Sequence, residues 1–585
     1  MENIKIKINE REYEVPENYT VLEACKANGI ELPTLCYLKD YTPGGSCRVC
    51  MVEIKGGRSL SAACVTPVFK GMEILTHSKE ALEGRKSSIE LLLSNHPKSC
   101  LTCIRNQNCE LQALAEKLDV RDIHYQGMMS NPYYDDASDG IVRDTSKCIL
   151  CGRCVAACEK LQGLGILQFQ NRGFKTTVGP INQHSMASVD CMQCGQCITV
   201  CPVGALSEKE DIHKVLMALQ DPELKVIVQT APAVRASLGE EFGYPIGTGV
   251  TGKMAAALKR MGFYRVYDTN FGADLTIMEE GNEFIERIKN HGTLPMITSC
   301  SPGWIRYAER EYPEILDHIS TCKSPHMMLG AMIKSYFAKT NNIDPKKIFN
   351  VSIMPCTAKK SEINRPEMVN DGCKNVDAVL TTRELGRMIK MMGIDFRSLP
   401  DEKFDQDLFG QYSGAGVIFG ASGGVMEAAL RTVADTLTGE DLPKFEYTAV
   451  RGETGLKQAE VTIAGQKVKV AVAHSMAIAK PLLEQVKEGT SPYQFIEIMG
   501  CPGGCVNGGG QSIVPAEVRN QLNPLDYKSL RAKALYDEDL SLSVRKSHQN
   551  PQIIDLYKKY LGKPGSEKAH ELLHCAQSRK PRFTF

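Results

Sequence analysis

Apolar and polar residues alternate strictly at the start of the chain, with Ile4, Ile6 and Ile8 set against Lys5, Lys7 and Asn9, and the alternation resumes at Tyr13 and Val15. A period of two turns one face of each segment inward, so the pattern predicts two strands of a hairpin. A helix is predicted next. Thr20 with Glu23 three residues on forms a capping box, Val21 to Ala27 the body, and Asn28-Gly29 the end. A second helix carries Ile89, Leu92 and Leu93. From about residue 210 the rhythm becomes strand, helix, strand. Val226-Ile227-Val228, Arg265-Val266-Tyr267, Met296-Ile297, Ile353-Met354 and Asp377-Ala378-Val379-Leu380 read as short buried strands, with helices over Val250 to Met261 and Phe271 to Lys289. A glycine-rich turn at Gly414 to Gly424 opens a further helix, a hairpin bends at Ala464-Gly465, and Phe495 to Met499 is a last strand-like run. The tail carries two amphipathic helices, Pro551 to Leu561 and Ser566 to Leu573, which read as packing elements. This alternation argues for α/β layers over parallel strands.

Composition narrows the class. The 585 residues are 43% hydrophobic and 24% charged, ordinary for globular protein and enough for several domains. Lys+Arg and Asp+Glu are equal at 69 each, so no global basic field recruits nucleic acid or anionic membrane. The first residues lack the apolar core of a signal peptide, and no stretch approaches the roughly 18 apolar residues of a membrane span. A cytoplasmic location is expected. In a reducing compartment the 23 cysteines do not read as a disulfide framework, which leaves metal binding.

The cysteines fall into groups that divide the chain. In residues 1–78, Cys36, Cys47, Cys50 and Cys64 place a CxxC pair between two more distant cysteines around the loop Pro43-Gly44-Gly45-Ser46. This resembles a plant-type 2Fe-2S ferredoxin of β-grasp form, with a longer first gap, and a zinc site from the same sulfurs is the competing assignment. Cys25, within the first helix, reads as a small buried hydrophobe. In the small helical segment 79–125, His96, Cys100, Cys103 and Cys109 fit a closed zinc site or a 4Fe-4S cluster with one histidine ligand; iron-sulfur signatures on both sides favour the cluster. In 126–209, Cys148, Cys151, Cys154 and Cys158 repeat as Cys191, Cys194, Cys197 and Cys201 with the gaps of bacterial two-cluster ferredoxins. The fourth cysteine of each run serves the other cluster. Cys148, Cys151, Cys154 and Cys201 are thus assigned to one 4Fe-4S cube, and Cys191, Cys194, Cys197 and Cys158 to its partner.

In residues 210–585 three cysteine sites close apolar strand-like runs: Cys300, Cys356 and the pair Cys501 and Cys505. Ligand crevices form at the carboxyl ends of parallel strands, so these sulfurs are expected to converge. Glycines at 503, 504 and 508–510 let backbone approach a bulky group. Gly420, Gly423 and Gly424 lack the GxGxxG spacing of a dinucleotide fold, and close packing is the preferred reading. Cys322, Cys373 and Cys575 show no metal-ligand spacing.

Thr298 to Trp304, Met354 to Glu362 and Glu497 to Gly510 resemble the three signatures of FeFe hydrogenases, and the accessory order resembles that family's multi-cluster form. The first three accessory sites are also similar to the large iron-sulfur subunit of respiratory complex I, which lacks these later signatures. The resemblance implies one 2Fe-2S cluster, three accessory 4Fe-4S clusters, and an H-cluster: a 4Fe-4S cube bridged to a two-iron unit carrying CO, cyanide and an amine-bearing dithiolate. It implies reversible interconversion of H2 with protons and electrons. Cys356, Cys501 and Cys505 are then cube ligands, Lys359 a donor to cyanide, and Ala231, Pro232, Ser324, Met354 and Met499 the lining of the two-iron pocket. A proton relay maps onto Cys300, Glu280, Ser320 and Glu283; without the resemblance the two glutamates would read as solvated helix charges.

The pattern breaks at three places. The family usually has adjacent cysteines in its first signature, whereas here Ser301 follows Cys300 and takes the position of a cube ligand. The resemblance then implies a cube held by three cysteines plus either the serine oxygen or an outside ligand, the alternative being that Cys300 turns to bind iron and leaves the relay. His326 stands where a glutamine usually approaches the diatomic ligands, and Gly500 replaces an alanine. The expected electron partner is ferredoxin or an NAD(P)-handling flavoprotein subunit. A hydrogen sensor or electron-wiring subunit with a poorly active site is the alternative.

Overall fold

The computed structural model describes residues 2–130, 132–442, 446–447, 450–451, 455–463 and 465–582. The opening alternation forms the antiparallel strands Asn3–Ile8 and Arg11–Pro16, which join a five-stranded sheet with Glu73–Leu75, Met51–Ile54 and Ser61–Ala62. Helix Val21–Ala27 starts at Thr20, whose hydroxyl accepts from the Glu23 N–H while the Glu23 carboxylate accepts from the Thr20 N–H. This sheet and helix have the β-grasp arrangement expected of a 2Fe-2S unit, and Cys25 is fully buried in the core between them.

Helix Lys79–Ser94 leads to the His96 segment. Beyond it the two four-cysteine runs have matching backbones. Gly152 and Gly195 both take a left-handed conformation, φ 76° and 73°, immediately before helices Arg153–Lys160 and Gln196–Val200. A side chain would be strained there, so the glycines fix how each cysteine run turns into its helix.

The remaining chain carries two four-stranded sheets. One is wholly parallel, in the order Arg265–Asp268, Lys225–Thr230, Ile348–Met354 and Ala378–Thr381. The other places Met296–Ile297, Phe495–Met499 and Gln466–His474 in parallel, with Leu456–Ile463 antiparallel at the edge. These central strands are buried nearly end to end, as the continuous apolar runs require. Helix Asn270–Lys289 packs against helices Pro325–Met332 and Gly424–Thr438.

Gly414–Gly424 is only partly the turn expected from its glycines, because Gly414–Ile418 is itself a helix. A Cβ at Gly414 would lie 1.8 Å from an Asp539 carboxylate oxygen, and one at Gly416 would lie 2.6 Å from the Asn270 carbonyl oxygen. The glycines are there for close packing against neighbouring elements. Strands Leu456–Ile463 and Gln466–His474 flank the hairpin bend; Ala464 at that bend lies outside the described residues. No helix among the described residues is long and apolar enough to cross a membrane.

Candidate active site

The Cys36 group is a closed sulfur cage. Cys50 Sγ and Cys64 Sγ lie 3.3 Å apart, and the Cys47 N–H points at Cys36 Sγ from 3.5 Å. A Cβ at Gly44 would stand 3.1 and 3.2 Å from the sulfurs of Cys36 and Cys64, so a side chain there would crowd the cage. The His96 group lines one cavity with Cys100, Cys103 and Cys109. His96 Nδ1 is buried there with no hydrogen-bond partner, and burial lowers its pKa, so the ring presents a neutral lone pair suited to metal.

The ferredoxin-like segment separates its eight cysteines as the crossed spacing requires. Cys148, Cys151, Cys154 and Cys201 line one apolar cavity with Leu167, Val178 and Leu206. Cys158 lies within electrostatic reach of Cys191, Cys194 and Cys197. Burial pushes the Cys148 and Cys191 thiols up to about 11. Burial outweighs the nearby Arg143, Arg306 and Arg310 charges, so these thiols are poor thiolates on their own, and metal coordination would make them ligands. The groups also adjoin one another. The Arg153 guanidinium senses both Cys36 and Cys151, Cys154 senses Cys197, and Cys194 senses Cys356.

At the ends of strands Ile348–Met354 and Phe495–Met499, Cys356, Cys501 and Cys505 meet. Cys501 is raised by burial and then by the charges of Cys356, Cys194 and Cys505, and burial pushes Cys505 up to about 12. Gly504 closes the turn between them at φ 92°, where a Cβ would lie 2.5 Å from the Ser422 N–H nitrogen. Three soft thiols in one dry crevice fit an iron-sulfur cube. Ser301 reaches the same turn: its Oγ accepts the Gly500 N–H at 3.2 Å, and a Cβ at residue 500 would stand 3.1 Å from that oxygen. The serine and the glycine that replaces alanine are thus in direct contact.

Lys359 Nζ donates to the Cys300 carbonyl at 3.1 Å and to Glu362 Oε2 at 2.7 Å. An ammonium has three protons, so one remains for a further acceptor. Ala231, Met354 and Met499 are buried, as is Pro232, and the buried Ser324 hydroxyl has no hydrogen-bond partner. His326 differs from expectation. Its Nδ1 lies 3.0 Å from Ser352 Oγ and its Nε2 2.8 Å from Glu362 Oε2, so both ring nitrogens are engaged. Burial lowers its pKa to about 4, and the neutral ring buttresses the Lys359–Glu362 pair; contact with a diatomic ligand would require opening one of these bonds.

Cys300, Glu280, Ser320 and Glu283 form a line toward the surface. Glu280 adjoins Cys300 and is wholly buried, with neither carboxylate oxygen at hydrogen-bond distance from a protein donor; Ser320 and the Ser299 N–H are its nearest polar influences. Ser320 Oγ donates to Glu283 Oε2 at 2.9 Å, and Arg287 holds Glu283 Oε1 at 2.6 Å. Glu280 and Glu283, three apart on one helix, share a face. The bland reading of both as solvated charges does not fit Glu280.

Burial, followed by the Glu283 charge, pushes the Glu280 carboxyl up to about 8. The unfolded chain holds such a carboxyl near about 4.3. Between these values the folded protein binds the extra proton, so this group's stabilisation is present at low pH and lost as pH rises toward about 8. The Glu280→Gln variant is therefore expected to gain thermal stability relative to the parent as pH rises through that window. Parallel pH profiles in anaerobic thermal melts would contradict it.

Sequence reasoning missed two contributors. Glu497 is buried, with its carboxylate accepting from the Gly423 N–H and the Met426 N–H at 2.7 Å each, which pins the glycine-rich helix start beside the cysteines. Glu362 joins His326 to Lys359. Glu362 lies in the quoted second signature, but its partner on a separate helix left no local signal.

Known proteins resemble the chain along most of its length. Residues 224–509 match the C-terminal domain of the iron-only hydrogenase large chain, and residues 525–576 the iron hydrogenase small subunit. Residues 1–79, 85–124 and 147–205 match, in turn, a 2Fe-2S iron-sulfur cluster binding domain, the iron-sulfur binding region of NADH-ubiquinone oxidoreductase-G and a 4Fe-4S dicluster domain. The chain is 46% identical to the NADP-reducing hydrogenase subunit HndD of Solidesulfovibrio fructosivorans over 100% of both chains. It is 44% identical to iron hydrogenase 1 of Clostridium pasteurianum over 97% of this chain and 99% of that one. A solved structure of apo FeFe hydrogenase HydA1 from Chlamydomonas reinhardtii is 40% identical, with a TM-score of 0.57 over 64% of this chain and 100% of its own. With a fold, a sulfur-lined crevice and full-length relatives in agreement, the chain belongs to the FeFe hydrogenase family, as a multi-cluster enzyme that interconverts H2 with protons and electrons.

Proposed function

We propose that Cys356, Cys501, Cys505 and Ser301 hold the cube of the H-cluster, with Cys505 as the bridge to the two-iron unit, and that Cys300, Glu280, Ser320 and Glu283 carry protons between it and solvent. The convergence of Cys356, Cys501 and Cys505 with Cys300 and Lys359 at three strand ends carries this reading. The two-iron unit, when bound, supplies the open iron site and basic amine at which H2 is cleaved or formed. The protein supplies the rest. Lys359 offers its remaining proton to an anionic ligand, the apolar lining excludes water, and Cys300 stands where a proton leaves the crevice. Glu280 is protonated near neutral pH and so can pass a proton on with little change in charge, while the Ser320 hydroxyl beside it is hydrogen-bonded to Glu283, which meets solvent beside Arg287.

Electrons take a separate route. The order of adjoining groups supports a 2Fe-2S cluster at the Cys36 group and a histidine-ligated 4Fe-4S cluster at the His96 group, both feeding the cube of Cys148, Cys151, Cys154 and Cys201. The Cys158 cube follows and abuts Cys356. The four units are 1–78, 79–125, 126–209 and 210–585. The glycine-rich segment is packed against Asp539 and Asn270 rather than open to a nucleotide, and the redox partner is an NAD(P)-handling flavoprotein subunit or ferredoxin, in line with the name of the Solidesulfovibrio relative.

Ser301 decides between turnover and sensing. Hydrogen uptake and evolution are to be measured on protein matured with the two-iron unit, beside Ser301→Cys and Ser301→Ala variants. The native chain is expected to turn over, and Ser301→Ala to lose cube iron and acquire the electron paramagnetic resonance signal of a three-iron cluster. Turnover only in Ser301→Cys would favour a sensor or wiring role instead.

A further inference from the structure

The structure assigns a site for a soft divalent cation, with Zn2+ as its probe, to Glu283, Cys322 and His574, where the ion would take hold of the carboxylate at the outer end of the proton line. Its effect on turnover rests on the relay reading; its occupancy does not. The three side chains can each offer one ligand atom within 4.8 Å of the others. Cys322 Sγ lies 3.9 Å from Glu283 Oε2 and 4.0 Å from His574 Nδ1. Zinc bond lengths of about 2.0–2.3 Å place tetrahedral ligand atoms about 3.3–3.6 Å apart, so the two distances to the Cys322 sulfur need to shorten by only a few tenths of an ångström.

The backbone already holds this geometry. Cys322 and His574 form a bridge, flanked by the Lys323 N–H to the Leu573 carbonyl at 2.8 Å and the Cys575 N–H to the Thr321 carbonyl at 2.7 Å. An independent sign of a metal site stands behind the histidine. His574 Nε2 lies 3.1 Å from Oε2 of Glu279, a fully buried carboxylate that also accepts from the Tyr557 hydroxyl and, at 2.8 Å, from the Gly565 N–H. A carboxylate on the far ring nitrogen is the outer-shell partner that metal-binding histidines use; it favours the proton on Nε2 and leaves the Nδ1 lone pair on the side of Thr321 and Cys322. Thr321 Oγ1 now sits 2.8 Å from Nδ1 and 3.2 Å from Glu283 Oε2, close to where the ion would bind. Glu283 Oε2 also accepts from Ser320 Oγ at 2.9 Å and from the Thr321 N–H at 3.1 Å, while Arg287 occupies Oε1.

On binding, the Cys322 S–H bond breaks, its proton leaves to solvent, and the sulfur lone pair forms the zinc bond; no electron is transferred. Thiolate and carboxylate then balance the dication. The Glu283 side chain is 14% exposed, which gives the ion an entry. Because the ion and Ser320 compete for the same oxygen, binding would break the last hydrogen bond of the line.

The test is a Zn2+ titration of anaerobic holoprotein, read as zinc retained after gel filtration, as anomalous scattering at the zinc edge in soaked crystals, and as H2 turnover. Expected are an anomalous peak between the three residues and turnover that falls as zinc is retained. Cys322→Ala and His574→Gln should keep their zinc-free turnover and need at least about tenfold more Zn2+ for the same loss; Glu279→Gln should weaken retention by about 10- to 100-fold. A peak elsewhere, or equal zinc sensitivity in Cys322→Ala, overturns the site. Zinc held at the three residues with turnover unchanged would leave the site standing and sink the relay reading instead.

Discussion

Replacing Cys300 by alanine is expected to lower hydrogen uptake and evolution by about 10²- to 10⁴-fold, the range lost when a positioned proton carrier is removed. The iron content, and the infrared bands of iron-bound carbonyl and cyanide, should be unchanged. Cys300 lies beside Glu280, Cys505, Lys359 and Glu497, and its thiol is held well above its ordinary pKa by burial and then by Glu280. It is therefore a protonated group facing the proposed relay, with Ser301 next to it in contact with the Gly500 turn. Substantial iron loss in Cys300→Ala would show instead that Cys300 is a ligand and that the line of protons starts elsewhere.

A larger effect is expected from Cys501→Ala. Cys501 is buried among Cys356, Cys194 and Cys505, so it stands between sulfurs of the proposed catalytic cube and of the proposed last accessory cluster. Losing this sulfur should leave the cube incomplete and the electron path broken at its final step. Turnover is expected to vanish in both directions, with lower iron per chain and a lower melting temperature, while absorption from the Cys36 group remains. Full cube occupancy by iron analysis and Mössbauer spectroscopy would refute the assignment.

What was legible in the sequence was whatever is decided locally. The Thr20 capping box, the alternating first hairpin and the two repeated cysteine runs each depend on residues a few positions apart, and each has the expected structure. The strand-end cysteines were legible because short apolar runs precede them. Contacts between distant segments were not. Nothing near His326 announces Ser352 and Glu362 as its partners, and Cys322 meets His574 from 252 residues away. The helix Gly414–Ile418 was obscured because glycine signals a turn locally, whereas here the missing side chains make room for Asp539 and Asn270.

The two sheets of the large domain have separate hydrogen-bonded frames, yet Cys356 follows a strand of one while Cys501 and Cys505 follow a strand of the other. A cube gripping all three is therefore a rivet through the seam. Shear between the halves would be felt as tension on iron-sulfur bonds, so loading the cube should fuse two softer melting steps into one sharp event.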